Sequence, residues 1–182
     1  VPVDHNSNYT HEITTHIQNQ EEMTMTLSKS DLKDIEFVLY EQLCVDQLFK
    51  TEKYRSCNRK MCDMVLKEAR NFAIKEILPT FTESDREGVT FDKGDVRVPE
   101  CFKRLHTLFC EGEWGALTED PEYGGQGLPH SIAHAATGFL VGANYTYMTY
   151  SILGHGAGKM IDLFGTDEQK KLYLKNLYTG VW

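Results

Sequence analysis

Clustered cations are missing from this sequence, and so is any long apolar run. Its 19 lysines and arginines are scattered among 27 aspartates and glutamates, for a formal charge of -8. A nucleic-acid partner requires grouped cations that displace phosphate counterions, so that class is excluded. No stretch reaches the ~20 apolar residues that span a bilayer, so no membrane span is expected. Residues 1–26 are too polar to contain the apolar centre of a secretory signal. The five cysteines, Cys44, Cys57, Cys62, Cys101 and Cys110, include no Cys-x-x-Cys pair. Zinc-ribbon and thioredoxin-like chemistry therefore lack support, and the thiols read as buried or half-buried free cysteines in a reducing compartment.

What is present suits a folded helical chain. With 182 residues and 41% hydrophobic content there is enough material for one real core. Residues 1–26 carry neither helical nor strand periodicity and read as a flexible, solvated tail. A first helix is expected from about Ser30, capped by Ser28 or Ser30, with Leu32, Ile35, Leu39 and Leu43 among its apolar residues. A second is expected from Tyr54 to Leu78, because Met61, Met64, Val65, Ala69, Phe72 and Ile77 recur at spacings of three and four, and Pro79 should stop it. Residues 80–98 read as a long connection rich in turn formers, with a short extended piece at Val96 and Val98. A third helix should open at Pro99 and close by Gly112.

The loop Tyr123-Gly124-Gly125-Gln126-Gly127 holds three glycines in four residues, a backbone suited to positive φ and close approach. It is not a phosphate cradle, since no strand feeds it and no Lys-Ser or Lys-Thr follows. A fourth helix is expected over residues 130–150, with small residues (Ala135, Gly138, Gly142) set among large ones. The glycines of Gly154-His155-Gly156-Ala157-Gly158 should break or bend it before Lys159. Gly165 ends that segment, and Thr166 with Gln169 forms a capping box for a last helix.

The candidate titratable groups are His106, His130, His134, His155, Glu119 and Glu122. They form no Ser-His-acid or Cys-His-acid motif. His130 and His134 have the four-residue spacing of a helical metal site, but Ser131 stands where a Glu would follow the first histidine, and no metal role is assigned. His155, between two glycines, reads by default as structural or solvent-facing, with ligand contact as the alternative.

Two segments nevertheless carry a specific resemblance. Tyr123-Gly124-Gly125-Gln126-Gly127-Leu128-Pro129 resembles the Glu-Glu-Tyr-Gly-Gly-x-Gly-Leu loop of acyl-CoA dehydrogenases. About forty residues further on, Gly165-Thr166-Asp167-Glu168-Gln169-Lys170 resembles that family's Gly-Thr-Glu-Glu-Gln-Lys segment. The separation fits without a gap, and Trp114-Gly115-Ala116-Leu117 lies where the family often has a Gly-Trp followed by an apolar pair. Residues 30–48 resemble the extra N-terminal segment of a longer-chain branch that includes the 3-methylmercaptopropionyl-CoA dehydrogenases. Val181 and Asn176 depart from the family's usual Glu and Pro.

The resemblance implies an all-α chain, the N-terminal helical domain of the acyl-CoA dehydrogenase fold, truncated before the middle β-domain. Residues 27–50 would be an extension helix and 51–182 the domain proper. It implies a whole enzyme that uses FAD for α,β-dehydrogenation of an acyl-CoA thioester, with a carboxylate taking the α-proton and flavin taking the hydride. In the family that carboxylate belongs to the C-terminal bundle, so no catalytic or flavin-binding residue is nominated in this chain, and its own hold on FAD is expected to be weak or absent. Homo-oligomerisation, an electron-transfer acceptor, and a cytoplasmic or, in a eukaryote, mitochondrial-matrix location follow by the same resemblance. Carried over position by position, the acyl-chain wall falls on Met148, Thr149, Ile152, Leu153 and Gly156. The alternatives are a non-catalytic helical interaction module derived from this domain and a helical acyl-chain-binding protein.

Overall fold

The computed structural model describes residues 32–182. The expected tail at 1–26 and the caps Ser28 and Ser30 lie outside them. The described residues are all-α apart from one short hairpin. The first helical stretch is less regular than its periodicity suggests. An α-turn, α1 (Leu32–Glu36), widens into a π-helical stretch over Phe37–Gln42. Cys44 then takes a left-handed backbone (φ 49°) that redirects the chain into a 3-10 stretch, Val45–Lys50. Leu39, Tyr40 and Val45 anchor this segment in the core.

Helix α2 (Arg59–Phe72) starts later than expected, because Asn58 rather than a residue near Tyr54 caps it: its side chain accepts from the Met61 N–H at 3.0 Å. It continues through a π-helical stretch, Ala73–Ile77, up to Pro79. There the expected long connection gives way to a helix, α3 (Thr80–Glu87), and the hairpin β1 (Thr90–Asp92) and β2 (Asp95–Arg97). Pro79 ends one helix and sits at the entry to the next, a position where its missing N–H costs nothing. The hairpin pairs Phe91 with Val96 in antiparallel register, with all six strand residues exposed.

Helix α4 (Glu100–Glu111) follows Pro99 as expected. Helix α5 (His130–Ala143) packs along α2, joining Leu66, Ala69 and Ile77 to Ile132, Ala136 and Leu140 in one core. Helices α6 (Tyr145–Phe164) and α7 (Asp167–Tyr178) pack along each other. The capping box is complete: Thr166 accepts from the Gln169 N–H, and the Gln169 side chain accepts from the Thr166 N–H.

The break between α5 and α6 falls at Asn144, not within the glycine run. Asn144 is extended (φ -158°, ψ 95°), fully buried, and caps α6 by accepting from the Tyr147 N–H at 3.1 Å. Its amide donates to Thr80 Oγ1 and Ser84 Oγ of α3, fixing the corner to that helix. Helix α6 then runs through residues 152–158 without a break. Two of its three glycines there serve close approach instead. A Cβ at Gly158 would meet the Tyr178 ring at 2.6 Å, and one at Gly154 would meet the Trp182 carbonyl at 2.9 Å.

Tyr147 ties α6 to α4 through edge-on contacts with Phe102 and Phe109. All five cysteines are free; Cys57 and Cys62 are buried, Cys101 and Cys110 half-buried, while Cys44 is exposed, contrary to expectation. Burial, with smaller contributions from Cys57 and Asp63, pushes the Cys62 thiol up to about 11, so it is a packing residue. On the outer side of α6, Leu153, Met160 and Phe164 are exposed at spacings of seven and four, one helical stripe that no described residue covers. No helix among the described residues is long and apolar enough to cross a membrane.

Candidate functional site

The glycine loop is folded onto the segment before it. Asp120 caps the turn at Pro121–Tyr123, accepting from the Glu122 N–H at 2.8 Å. Gly124 and Gly127 take positive φ (85° and 62°), which glycine alone adopts readily. Gly125 passes so close to Glu119 that a Cβ would overlap its carbonyl group. The N–H groups of Gly125, Gln126, Gly127 and Leu128 donate to the carbonyls of Asp120, Ala116, Glu119 and Leu117. With its amides spent on its own backbone, the loop has none aimed outward at a phosphate. Its role is to hold residues 116–120 in place.

That places Glu119 under helix α6. Only 2% exposed, its carboxylate accepts from Thr118 Oγ1 at 2.7 Å, from Lys159 Nζ at 2.5 Å, and lies 2.9 Å from His155 Nε2. Burial alone would raise its pKa, but the hydrogen bonds from Lys159, Thr118 and His155, with the Lys159 charge, hold it down at about 2. Lys159 also reaches Asp162 at 3.6 Å. A buried, ionised carboxylate thus ties the loop to two residues one turn apart on α6.

Above this cluster lies a cleft of about 450 Å³ between α4, α5 and α6. Trp114, Leu117, Ala133, Met148 and Ile152 make its apolar wall. His130, His134, His155 and Lys159 make its polar side. Met148, Ile152, His155 and Lys159 follow the three- and four-residue rhythm of one helix face. Of the five expected wall residues, Met148 and Ile152 therefore line the cleft. Thr149, Leu153 and Gly156 each lie one residue further along, turned by ~100°, and fall outside it. Thr149 is half-buried with its hydroxyl bonded to the Thr146 carbonyl; Leu153 is 75% exposed; a Cβ at Gly156 would meet nothing within 4 Å.

The six titratable candidates separate into three groups. His130, His134 and His155 share the cleft, and Glu119 sits beneath it. His106 is on the other side of α6, 3.0 Å from the Gly180 carbonyl, at a second cleft of about 340 Å³. Glu122 is exposed on the loop. No group of three or more His, Cys, Asp or Glu among the described residues is placed to hold a metal ion. Sequence reasoning missed Lys159. The signal available was its phase: four residues after His155 and seven after Ile152, on the face that also carries Met148.

Comparison with known proteins identifies the scaffold. Residues 60–181, from the start of α2 to the last described turn, match the family model of the acyl-CoA dehydrogenase N-terminal domain. The chain belongs to that family. It is 29% identical over 154 residues to the 3-methylmercaptopropionyl-CoA dehydrogenase of Ruegeria pomeroyi, covering 85% of this chain and 26% of the relative. It is 28% identical over 149 residues to a broad-specificity linear acyl-CoA dehydrogenase of Mycobacterium tuberculosis (81% and 24% covered). A butyryl-CoA dehydrogenase of Syntrophomonas wolfei matches at 25% over 166 residues (83% and 25%). The chain spans about a quarter of the length of these curated relatives. The described residues carry the helical N-terminal domain of this oxidoreductase family, and the cleft lies wholly within the matched residues.

Proposed function

We propose that this chain is the N-terminal helical part of an FAD-dependent acyl-CoA dehydrogenase, and that the cleft beside Met148 and Ile152 contributes to the acyl-chain pocket. The family match over residues 60–181 carries the reading, because it coincides with a cleft that has an apolar wall of the kind hydrocarbon tails require. The relatives are named for action on acyl-CoA thioesters, which supports an acyl-CoA substrate for the whole protein. Homo-oligomerisation and an electron-transfer partner belong to the same reading.

No flavin-binding residue is assigned among the described residues. The glycine loop spends its amides on its own backbone, and the two-stranded hairpin is no dinucleotide-binding sheet. No step of the dehydrogenation is therefore assigned to a residue of this chain. Its contribution is to bind and orient the acyl group and to keep water from it, through Leu117, Met148 and Ile152.

The test is acyl-CoA binding by the native gene product. Ile152→Trp, which fills the cleft, should weaken a long acyl-CoA far more than butyryl-CoA, as measured by titration calorimetry. Equal loss for both chain lengths, or no loss for either, overturns the assignment of this wall. A second reading, a non-catalytic interaction module, is favoured by the bare stripe of Leu153, Met160 and Phe164. Absence of any acyl-CoA binding would favour it.

A further inference from the structure

The cleft is not the uniformly apolar slot that a plain hydrocarbon would need. Three imidazoles and an ammonium line it, and no carboxylate does, in a chain with a charge of -8. The Lys159 charge is already answered by Glu119 at 2.5 Å and Asp162 at 3.6 Å. His134 Nδ1 is engaged by the His130 carbonyl at 2.8 Å.

His155 is different. Its Nε2 faces Glu119 Oε1 at 2.9 Å, and Glu119 is a buried, ionised carboxylate, so Nε2 carries a proton and the ring orientation is set. The second ring nitrogen has no hydrogen-bond partner among the described residues, while the side chain is 33% exposed at the cleft. Ser151, one helical turn before it on the cleft wall, has a hydroxyl already buried beside that of Tyr147. A plain alkyl chain laid here would strip water from this ring nitrogen and return no hydrogen bond. A chain bearing an oxygen would return one.

We propose that this cleft selects acyl groups that carry a hydrogen-bonding oxygen, with His155 as the specificity-determining residue and Glu119 as its positioning residue. The inference rests on the acyl-pocket reading above. The open ring nitrogen accepts from a hydroxyl when the ring is neutral and donates to a carboxylate when it is charged. Hydroxylated and dicarboxylic chains tell these two sources apart. Met148 and Ile152 hold the methylenes in either case.

The experiment is titration calorimetry of the native gene product with three ligands of equal chain length: octanoyl-CoA, ω-hydroxyoctanoyl-CoA and the CoA monothioester of octanedioic acid. At least one oxygenated ligand should bind about tenfold more tightly than octanoyl-CoA, the effect of one well-placed hydrogen bond. His155→Phe should erase that ratio, and His155→Gln, which keeps a polar end, should restore part of it. Glu119→Gln should reduce the ratio by freeing the ring, a change that a merely structural role for the pair would not produce. Thermal unfolding of each variant confirms that the ratios come from folded protein. Equal binding of all three ligands by the wild type, or a preference that survives His155→Phe, overturns the inference and leaves the acyl pocket standing. Failure of every acyl-CoA to bind overturns the acyl-pocket reading itself, and this inference with it.

Discussion

Gly125 lies against the backbone of Glu119, so close that a Cβ built on it would sit 2.1 Å from the Glu119 carbonyl oxygen. The glycine loop and the buried carboxylate are therefore one construction: the loop returns over residues 116–120 only because position 125 has no side chain, and that return delivers Glu119 to His155 and Lys159.

Gly125→Ala should consequently be among the most damaging small changes in the chain. The contact is with backbone, which cannot swing aside, so a loss of about 3 kcal/mol is expected, at the upper end of overpacking effects. Gly138→Ala is the matched control. Nothing lies within 4 Å of a Cβ there, and the site is helical, so a gain of about 0.5–1 kcal/mol is expected. Urea unfolding of both variants measures the contrast, and equal effects would refute the close-approach account.

Asn144→Ala removes a helix cap and two buried hydrogen bonds to Thr80 and Ser84 at once. Both hydroxyls keep a second bond, to the Ile77 and Phe81 carbonyls, which limits the damage. A loss of about 2 kcal/mol is expected. Amide hydrogen exchange should show the opening concentrated in the first turn of α6 and in α3; uniform loss of protection would contradict a local corner.

Glu119 should dominate the acid limb of stability. Its pKa in the folded protein is held at about 2, below the ordinary 4.5, so its contribution is fully present above that ordinary value and is lost as pH falls from there toward about 2. Glu119→Gln should lower stability at neutral pH by about 2–3 kcal/mol, less than for a fully buried pair because Lys159 is partly exposed and keeps Asp162. The variant should also show a flatter pH dependence below 4.5. Thermal unfolding across that range is the check, and an unchanged acid slope would show that the carboxylate does not behave this way.

Gly156→Leu and Ile152→Trp should separate two faces of one helix. Position 156 opens on empty space outside the cleft, so leucine there should leave acyl-chain selectivity within about twofold of wild type. Position 152 lines the cleft, and tryptophan there should shift preference toward short chains. Competition binding with a series of acyl-CoA lengths distinguishes them. A shift from the 156 variant alone would move the acyl wall to the outer stripe of α6.

Much of the helical scaffold was legible because its signals are local. The apolar rhythm of residues 61–77, Pro99 before α4, and the Thr166–Gln169 box each depend on residues within one or two turns, and the structure follows them closely. The misreadings share one cause. Intrinsic preference makes residues 80–98 a loop and the 154–158 glycines a break, but tertiary contacts decide both: Asn144 fixes Thr80 and Ser84 of the helix that follows Pro79, and Tyr178 and Trp182 fill the space beside Gly158 and Gly154. The site shows the same division. Met148 and Ile152 were readable as apolar residues on one face, whereas Lys159 became part of the site only when its partner was known.

The order of residues alone determined that this chain would be helical, that residues 123–128 would turn through glycines, and that two motifs at a fixed separation would mark it as an acyl-CoA dehydrogenase N-terminal domain. These follow from backbone preferences and from side chains close in sequence. Only the tertiary structure decided that Glu119 would meet residues 36 and 40 positions away, that α6 would run unbroken through its glycines, and that its cleft-facing row would be Met148, Ile152, His155 and Lys159. The reason is physical. Helical phase can be counted along a chain, but which phase turns inward is set by the neighbour it packs against, and a buried charge reveals its purpose only through the distant groups that neutralise it.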